Sequence, residues 1–225
     1  MTQKLIPFCV ADRPISLSII KGVSLSADIK IGILSQAATT SAAFKKLFAS
    51  YPYGTGVVYS NGEPTDQAIN RQTVKMADSG IFGKKGCALT YDELFKAYKE
   101  MKAQYGIMID VFGDCDATLA SARQALKEHK RGEHQFELVG VAQGKSIDEY
   151  LWCYERLVAM GYTKIALGGL LRKRKNTVRY GHVRGGAPLL EKLLKWVREK
   201  FDPDWLFVLG AFHPKRVELF HEYGV

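Results

Sequence analysis

The chain has 225 residues, 47% hydrophobic and 24% charged, which suits one sizeable globular core and falls short of two ordinary domains. No run of about 18 apolar residues occurs, which excludes a membrane-spanning helix. A formal net charge of +9 and a pI near 9.3 favour polyanionic partners through long-range attraction, so nucleic acid stands among the expected ligands.

The N-terminal stretch "MTQKLIPFCVADRP" lacks the basic segment and long apolar core of a signal peptide, and a cytoplasmic location is the expectation. Cys9, Cys87, Cys115 and Cys153 form no CxxC pair and no Cys/His set with zinc-ligand spacing. They are read as reduced, mostly buried thiols, and no metal is expected.

Short apolar runs then follow one another along the chain. They are "KIGILSQ" (30–36), "TGVVYS" (55–60), "VKMAD" (74–78) and "YGIMIDVF" (105–112). "FELVGVAQG" (136–144), "TKIALGG" (163–169) and "DWLFVLGAF" (204–212) complete the set. Their apolar residues are continuous rather than alternating, as in strands covered on both faces. Between the later runs lie the amphipathic patterns "YDELFKAYKEMKAQ", "TLASARQALKEHKR", "SIDEYLWCYERLVAMG" and "PLLEKLLKWVREKF". Thr90 and Ser146 are predicted N-caps, each with acids in the following turn, and Gly161 a helix-ending glycine. The C-terminal "HPKRVELFHEYGV" reads as a helix followed by the approach to a further strand.

Regular β-α alternation means a parallel sheet, open or closed into a barrel. No GxGxxG fingerprint follows a first strand, which argues against a dinucleotide fold. Polar and glycine residues gather just after the strand runs, as they do at the functional face of a (β/α)8 barrel. The prediction is therefore a single (β/α)8 TIM-barrel domain over residues 1–225, with one last strand and helix unaccounted for.

The residues at those strand ends carry the chemistry. Asp78 opens "DSG", where a carboxylate is either a turn cap or a general base at a pocket. Phe82, if it faces the mouth, offers a ring face to a flat heterocycle. Asp110 lies inside an apolar run; burial would raise its pKa, and it should meet hydrogen-bond donors. One carboxylate can grip the N–H and amino pair of a purine. Asp114 and Asp116 follow in a polar loop and are read as helix caps. Gln143, before Gly144, can both donate and accept, which suits a carbonyl or ring nitrogen. Gly168 and Gly169 would let a ligand approach the backbone and its N–H groups. The segment "LLRKRKNTVRYGHVRGG" places Arg172, Lys173, Arg174, Lys175, Arg179 and Arg184 in one loop region, either as a solvated charge run or as a grip on phosphates.

The ordered motifs "ADSGIF", "IDVF", "VGVAQG", "IALGGL" and "VLGAFHP" resemble the tRNA-guanine transglycosylases, barrel enzymes that exchange a guanine for a 7-deazaguanine and have relatives acting on DNA. The resemblance runs from about residue 74 to the C-terminus. It implies that Asp78 is a base or substrate-positioning group beside Ser79. It implies further that Phe82 and Leu209 sandwich the exchanged base. Asp110 and Gln143 would read the purine edge, with Gly144, Gly168, Gly169 and Leu170 completing the pocket. Arg172, Lys173, Arg174 and Lys175 would hold the flanking phosphates of tRNA or DNA, and the family's habit extends the partners to a homodimer. The sequence departs from the family at Gly83, where a glutamine is usual. The family's nucleophilic aspartate and zinc-binding segment find no match in the 225 residues, so no cofactor is implied. Two other readings stand beside this one: a non-catalytic nucleic-acid or deazapurine binder, and a phosphosugar-handling barrel enzyme.

Overall fold

The computed structural model describes residues 8–10, 32–34, 55–60, 74–80, 89–174, 177–180, 187–211 and 216–225. Eight strands share one sheet: β1 Phe8–Val10, β2 Gly32–Leu34, β3 Thr55–Ser60, β4 Val74–Asp78, β5 Tyr105–Ile107, β6 Glu137–Ala142, β7 Lys164–Leu167 and β10 Leu206–Val208. Every neighbouring pair is parallel, and the spatial order is the chain order, β1 to β7 and then β10. A parallel neighbour requires a crossover that returns the chain to the same end of the sheet. The helices α1 (Tyr91–Glu100), α2 (Cys115–Arg131), α3 (Ile147–Ala159) and α4 (Ala187–Phe201) make four of those crossovers. A sheet wound in one direction, strand after strand, curls on itself, and β4 to β7 with β10 form a curled half-barrel.

Local chemistry explains why these segments are helices. Thr90 caps α1 with a reciprocal box: its hydroxyl accepts from Glu93 N while the Glu93 carboxylate takes the Thr90 N–H at 2.8 Å. That arrangement holds Glu93 below the usual carboxylate range. Asp114 caps α2, accepting from Ala117 N at 3.0 Å, and Ser146 caps α3 through Glu149 N. Gly161, at φ +96°, carries the chain out of α3 in the left-handed region. Each helix then buries one stripe. In α1 this is Tyr91, Leu94, Phe95 and Tyr98; in α3 it is Tyr150, Cys153, Tyr154 and Leu157.

Two strand glycines make room for the helix layer. A Cβ at Gly106 in β5 would lie 2.6 Å from the rings of Tyr98 and Phe136, and one at Gly140 in β6 would lie 2.9 Å from Tyr162. These rings therefore pack directly against the strands, each buried aromatic contributing about 1.5–3 kcal/mol. Their polar ends are satisfied: Tyr98 Oη donates to Ile107 O at 2.8 Å, and Tyr162 Oη to Ala122 O at 2.9 Å.

The structure differs from the sequence reading in three places. The strand Phe8–Val10 joins the sheet as its first member, so the sheet reaches eight strands without any segment after residue 211. Part of the basic segment is an antiparallel hairpin rather than a loop: β8 (Leu171–Arg174) pairs with β9 (Thr177–Tyr180), Arg172 standing in register with Arg179. The C-terminal tripeptide starts no strand. Tyr223 N and Val225 N bond back to Leu219 O and Phe220 O, closing α5 (Val217–Glu222), and the Arg198 guanidinium donates to the carbonyls of Tyr223 and Gly224.

Candidate functional site

In a parallel sheet all strands end at the same edge, so residues remote in sequence meet there. Asp78 is the last residue of β4; Asp110, Gln143 and Gly168 follow the ends of β5, β6 and β7. The structure brings them together. Gln143 Nε2 donates directly to Asp110 Oδ2 across a separation of 33 residues. Gln143 Oε1 accepts from Gly113 N at 3.2 Å, and this second bond fixes which end of the amide faces Asp110. Below, Gln143 N donates to Cys153 Sγ at 3.4 Å. Asp110 is 5% exposed and Gln143 is fully buried.

The electrostatics follow from that burial. Desolvation pushes the Asp110 carboxyl up to about 7, the Gln143 hydrogen bond works in the opposite direction, and the nearby charge of Asp78 adds to the rise. A carboxyl poised there exchanges its proton near neutral pH. Burial likewise raises the thiols of Cys115 and Cys153 above their ordinary values, so both stay protonated at neutral pH and are not activated nucleophiles.

The diglycine after β7 has a different task from the one its sequence suggests. The Gly168 N–H is not displayed to a ligand: it donates to Ala142 O at 3.0 Å, while Gly168 O accepts from Tyr150 Oη at 2.8 Å. What both glycines supply is space. A Cβ at Gly168 would lie 2.7 Å from Gln143 Nε2 and 3.4 Å from Asp110 Oδ2. At Gly169, where φ is +70°, a Cβ would fall 2.1 Å from Gln143 Oε1. Side chains here would evict the Asp110–Gln143 pair. Gly144 is also a packing glycine, its Cβ position lying 2.7 Å from Tyr150 N. Leu170 is buried, and Leu209, partly buried, continues β10 by donating its N–H to Leu167 O at 2.9 Å.

On the β4 side, Gly80 at φ +74° turns the chain so that its N–H points at Asp78 Oδ1, 3.4 Å away. Ser79 is fully buried, and its Oγ has no hydrogen-bond partner among the described residues. An orphaned buried hydroxyl is costly unless a ligand completes it. At the rim after Asp110, Val111 and Phe112 are 39% and 36% exposed. Phe82 and Lys175 lie outside the described residues, and Arg172, Lys173 and Arg174 are placed only as members of β8. Asp114 is the helix cap that the sequence predicts, with Asp116 in the turn after it.

Several residues of the site carry no signal in the sequence. Cys153 and Gly113 bond to Gln143, and Tyr150 to Gly168, only because α3 and the turn before α2 pack over the sheet edge. Among the described residues no group of three or more His, Cys, Asp or Glu is arranged to hold a metal ion, and no helix is long and apolar enough to cross a membrane. No family model matches the chain, and no curated protein matches it either.

Proposed function

We propose that this chain is a transglycosylase-like protein whose pocket binds guanine or a 7-deazaguanine and serves base exchange in tRNA or DNA. The observation that carries the reading is the hydrogen bond between Asp110 and Gln143 at the sheet's C-terminal edge, with Asp78 close enough for its charge to raise the Asp110 pKa.

The chemistry runs as follows. Ionised Asp110 accepts from the ring N–H and exocyclic amine of a 6-oxopurine. Gln143 Nε2 keeps one hydrogen beyond the one that Asp110 takes, and this donates to the purine carbonyl. Adenine presents the reverse pattern and leaves both groups unmatched, a costly arrangement in a buried pocket. Asp78, less buried than Asp110, receives the proton that the incoming base loses as it attacks C1′. The family resemblance gives the first displacement, in which guanine leaves and a covalent glycosyl-enzyme forms, to an aspartate with no counterpart in the 225 residues. The target nucleotide must be turned out of its stack to enter. The hairpin β8–β9 begins directly after the pocket residue Leu170, so its Arg and Lys residues are the expected phosphate contacts, making binding strongly salt-dependent. Closure of the curled sheet into a full (β/α)8 barrel, with β10 meeting β1, belongs to the same proposal.

One observation weighs against a phosphosugar enzyme: the Gly168 amide is already committed to Ala142 O and offers an anion nothing. Calorimetric titration of the full chain with guanine and 7-deazaguanine tests the reading. Because the base takes the ionised carboxylate, affinity falls about tenfold per pH unit below about 7 and levels off above it. Asp110→Ala abolishes binding. Binding of inorganic phosphate with indifference to purines, or purine binding that survives Asp110→Ala, overturns the proposal.

A further inference from the structure

Asp110 sits in backbone that has left the sheet. Met108 N still bonds to Val139 O at 3.0 Å, but Ile109 and Val111 have no strand partner. These part-buried backbone groups need other partners; Asp114 N donates to Val111 O at 3.0 Å, and hydroxyls from helices α1 and α2 provide the rest. On one side of Asp110, Ile109 N donates to Tyr91 Oη at 2.9 Å, and Ser121 Oγ donates to Ile109 O at 2.6 Å. Tyr91 Oη and Ser121 Oγ are themselves 2.7 Å apart. Tyr91 Oη also reaches Ile109 O, at 3.2 Å, and either hydroxyl can donate to the other, so the two share the carbonyl. On the other side, Val111 N donates to Thr118 Oγ1 at 3.0 Å, and the same hydroxyl donates to Val111 O at 3.1 Å.

The residues before and after Asp110 are therefore each met at both N–H and C=O by hydroxyls from outside the sheet, Val111 O sharing its hydroxyl with the Asp114 N–H. Thr118 is fully buried on α2, where a hydroxyl contributes little to a helix and an apolar residue would be the ordinary choice. Tyr91 is also buried, at 3% exposure. From this geometry we infer that Tyr91, Ser121 and Thr118 form a two-sided hydroxyl clamp whose task is to position the Asp110 carboxyl against Gln143 for purine recognition. They are positioning residues, acting through Asp110 rather than on the base. The inference rests on the base-binding reading for its ligand, while the clamp itself is a property of the apo chain.

The test combines two readouts on the full chain. One is the titration of the Asp110 side-chain carboxyl followed by carbon-detected NMR, assigned with Asp110→Asn. The other is the affinity for guanine and 7-deazaguanine. Thr118→Val keeps the shape and removes the grip; it is expected to move the Asp110 midpoint by about half a pH unit or more and to weaken base binding about tenfold or more, since small misplacements of a positioned group are expensive. Thr118→Ser keeps the hydroxyl and restores both. Ser121→Ala, a milder change, moves both readouts in the same direction as Thr118→Val. Should Thr118→Val lower the melting temperature yet leave the titration and the affinity unchanged, the hydroxyl is structural only and the inference falls. A carboxyl titration that responds to Thr118→Val in a protein that binds neither base upholds the clamp and removes the base-binding reading. Base binding that requires Asp110 but ignores Thr118 and Ser121 does the opposite.

Discussion

The two halves of the sheet's C-terminal edge are built on different terms. After β5, β6 and β7 the polar groups are committed to one another: Gln143 bonds to Asp110 and Gly113, Gly168 to Ala142 and Tyr150, and the flanks of Asp110 to three hydroxyls. After β4, by contrast, Ser79 is buried with its hydroxyl unmatched among the described residues, and Asp78 is less buried than Asp110. Rigid, satisfied networks suit recognition, because their geometry costs nothing further when ligand arrives. A buried hydroxyl without a partner among the described residues, as at Ser79, suits a step in which a ligand is received. Under the proposed function the β5–β7 half is the part that reads the base.

The comparison is broken most severely at Gly169. Gly169→Ala places a Cβ on Gln143 Oε1 and forces a left-handed backbone onto alanine. A loss of roughly 3–5 kcal/mol in urea unfolding is expected from strain plus stranded hydrogen bonds. A loss under about 1 kcal/mol would show that Gln143 has room to relocate, and that the committed half is looser than described.

A smaller effect, of opposite sign, belongs to Asp110→Asn. Burial pushes the Asp110 carboxyl up to about 7 in the folded chain, above the ordinary aspartate value of 3.8. Between those pH values the folded protein keeps a proton that the unfolded chain has lost, so stability falls as pH rises through this window. Asparagine removes that penalty and still accepts from Gln143. The variant is expected to match the parent near pH 4 and to exceed it by a few kcal/mol, to order of magnitude, at pH 8. Thermal melts across pH decide the matter; equal stabilities at pH 8 would mean that Asp110 ionises without cost.

The smallest change sharpens the other half. Ser79→Ala deletes a buried hydroxyl that lacks a partner among the described residues, so stability should hold or rise by about 1 kcal/mol while affinity for guanine drops. A clear destabilisation would show that the hydroxyl already has a structural partner, and the contrast between the halves would narrow.

Much of the fold is legible in the sequence because burial writes itself locally. A strand covered on both faces reads as an unbroken apolar run, and all seven runs predicted contain strands of the sheet. The strand Phe8–Val10 escapes because Pro7 breaks the apolar run leading into it, so no continuous strand pattern is left. The hairpin β8–β9 escapes because its Arg and Lys residues look like a charged loop when only composition is read. Of the site, the conspicuous positions are Asp110, an acid in an apolar run, and Gln143 with its glycine. Tyr91, Thr118, Ser121 and Tyr150 look like routine members of amphipathic helices, and nothing in their spacing marks them as ligands of a loop.

The sequence by itself determined the rhythm of strands and helices, the caps that start the helices, and which polar residues fall at strand ends, since each depends on neighbours a few positions away. Only the tertiary structure decided that Asp110 and Gln143 bond to each other, that Gly168 and Gly169 clear space for that pair instead of baring N–H groups, and that hydroxyls from two helices replace the missing sheet partners. Those are contacts between segments tens of residues apart, and their energies exist only once a parallel sheet has brought its strand ends to a common edge and taken water away from them.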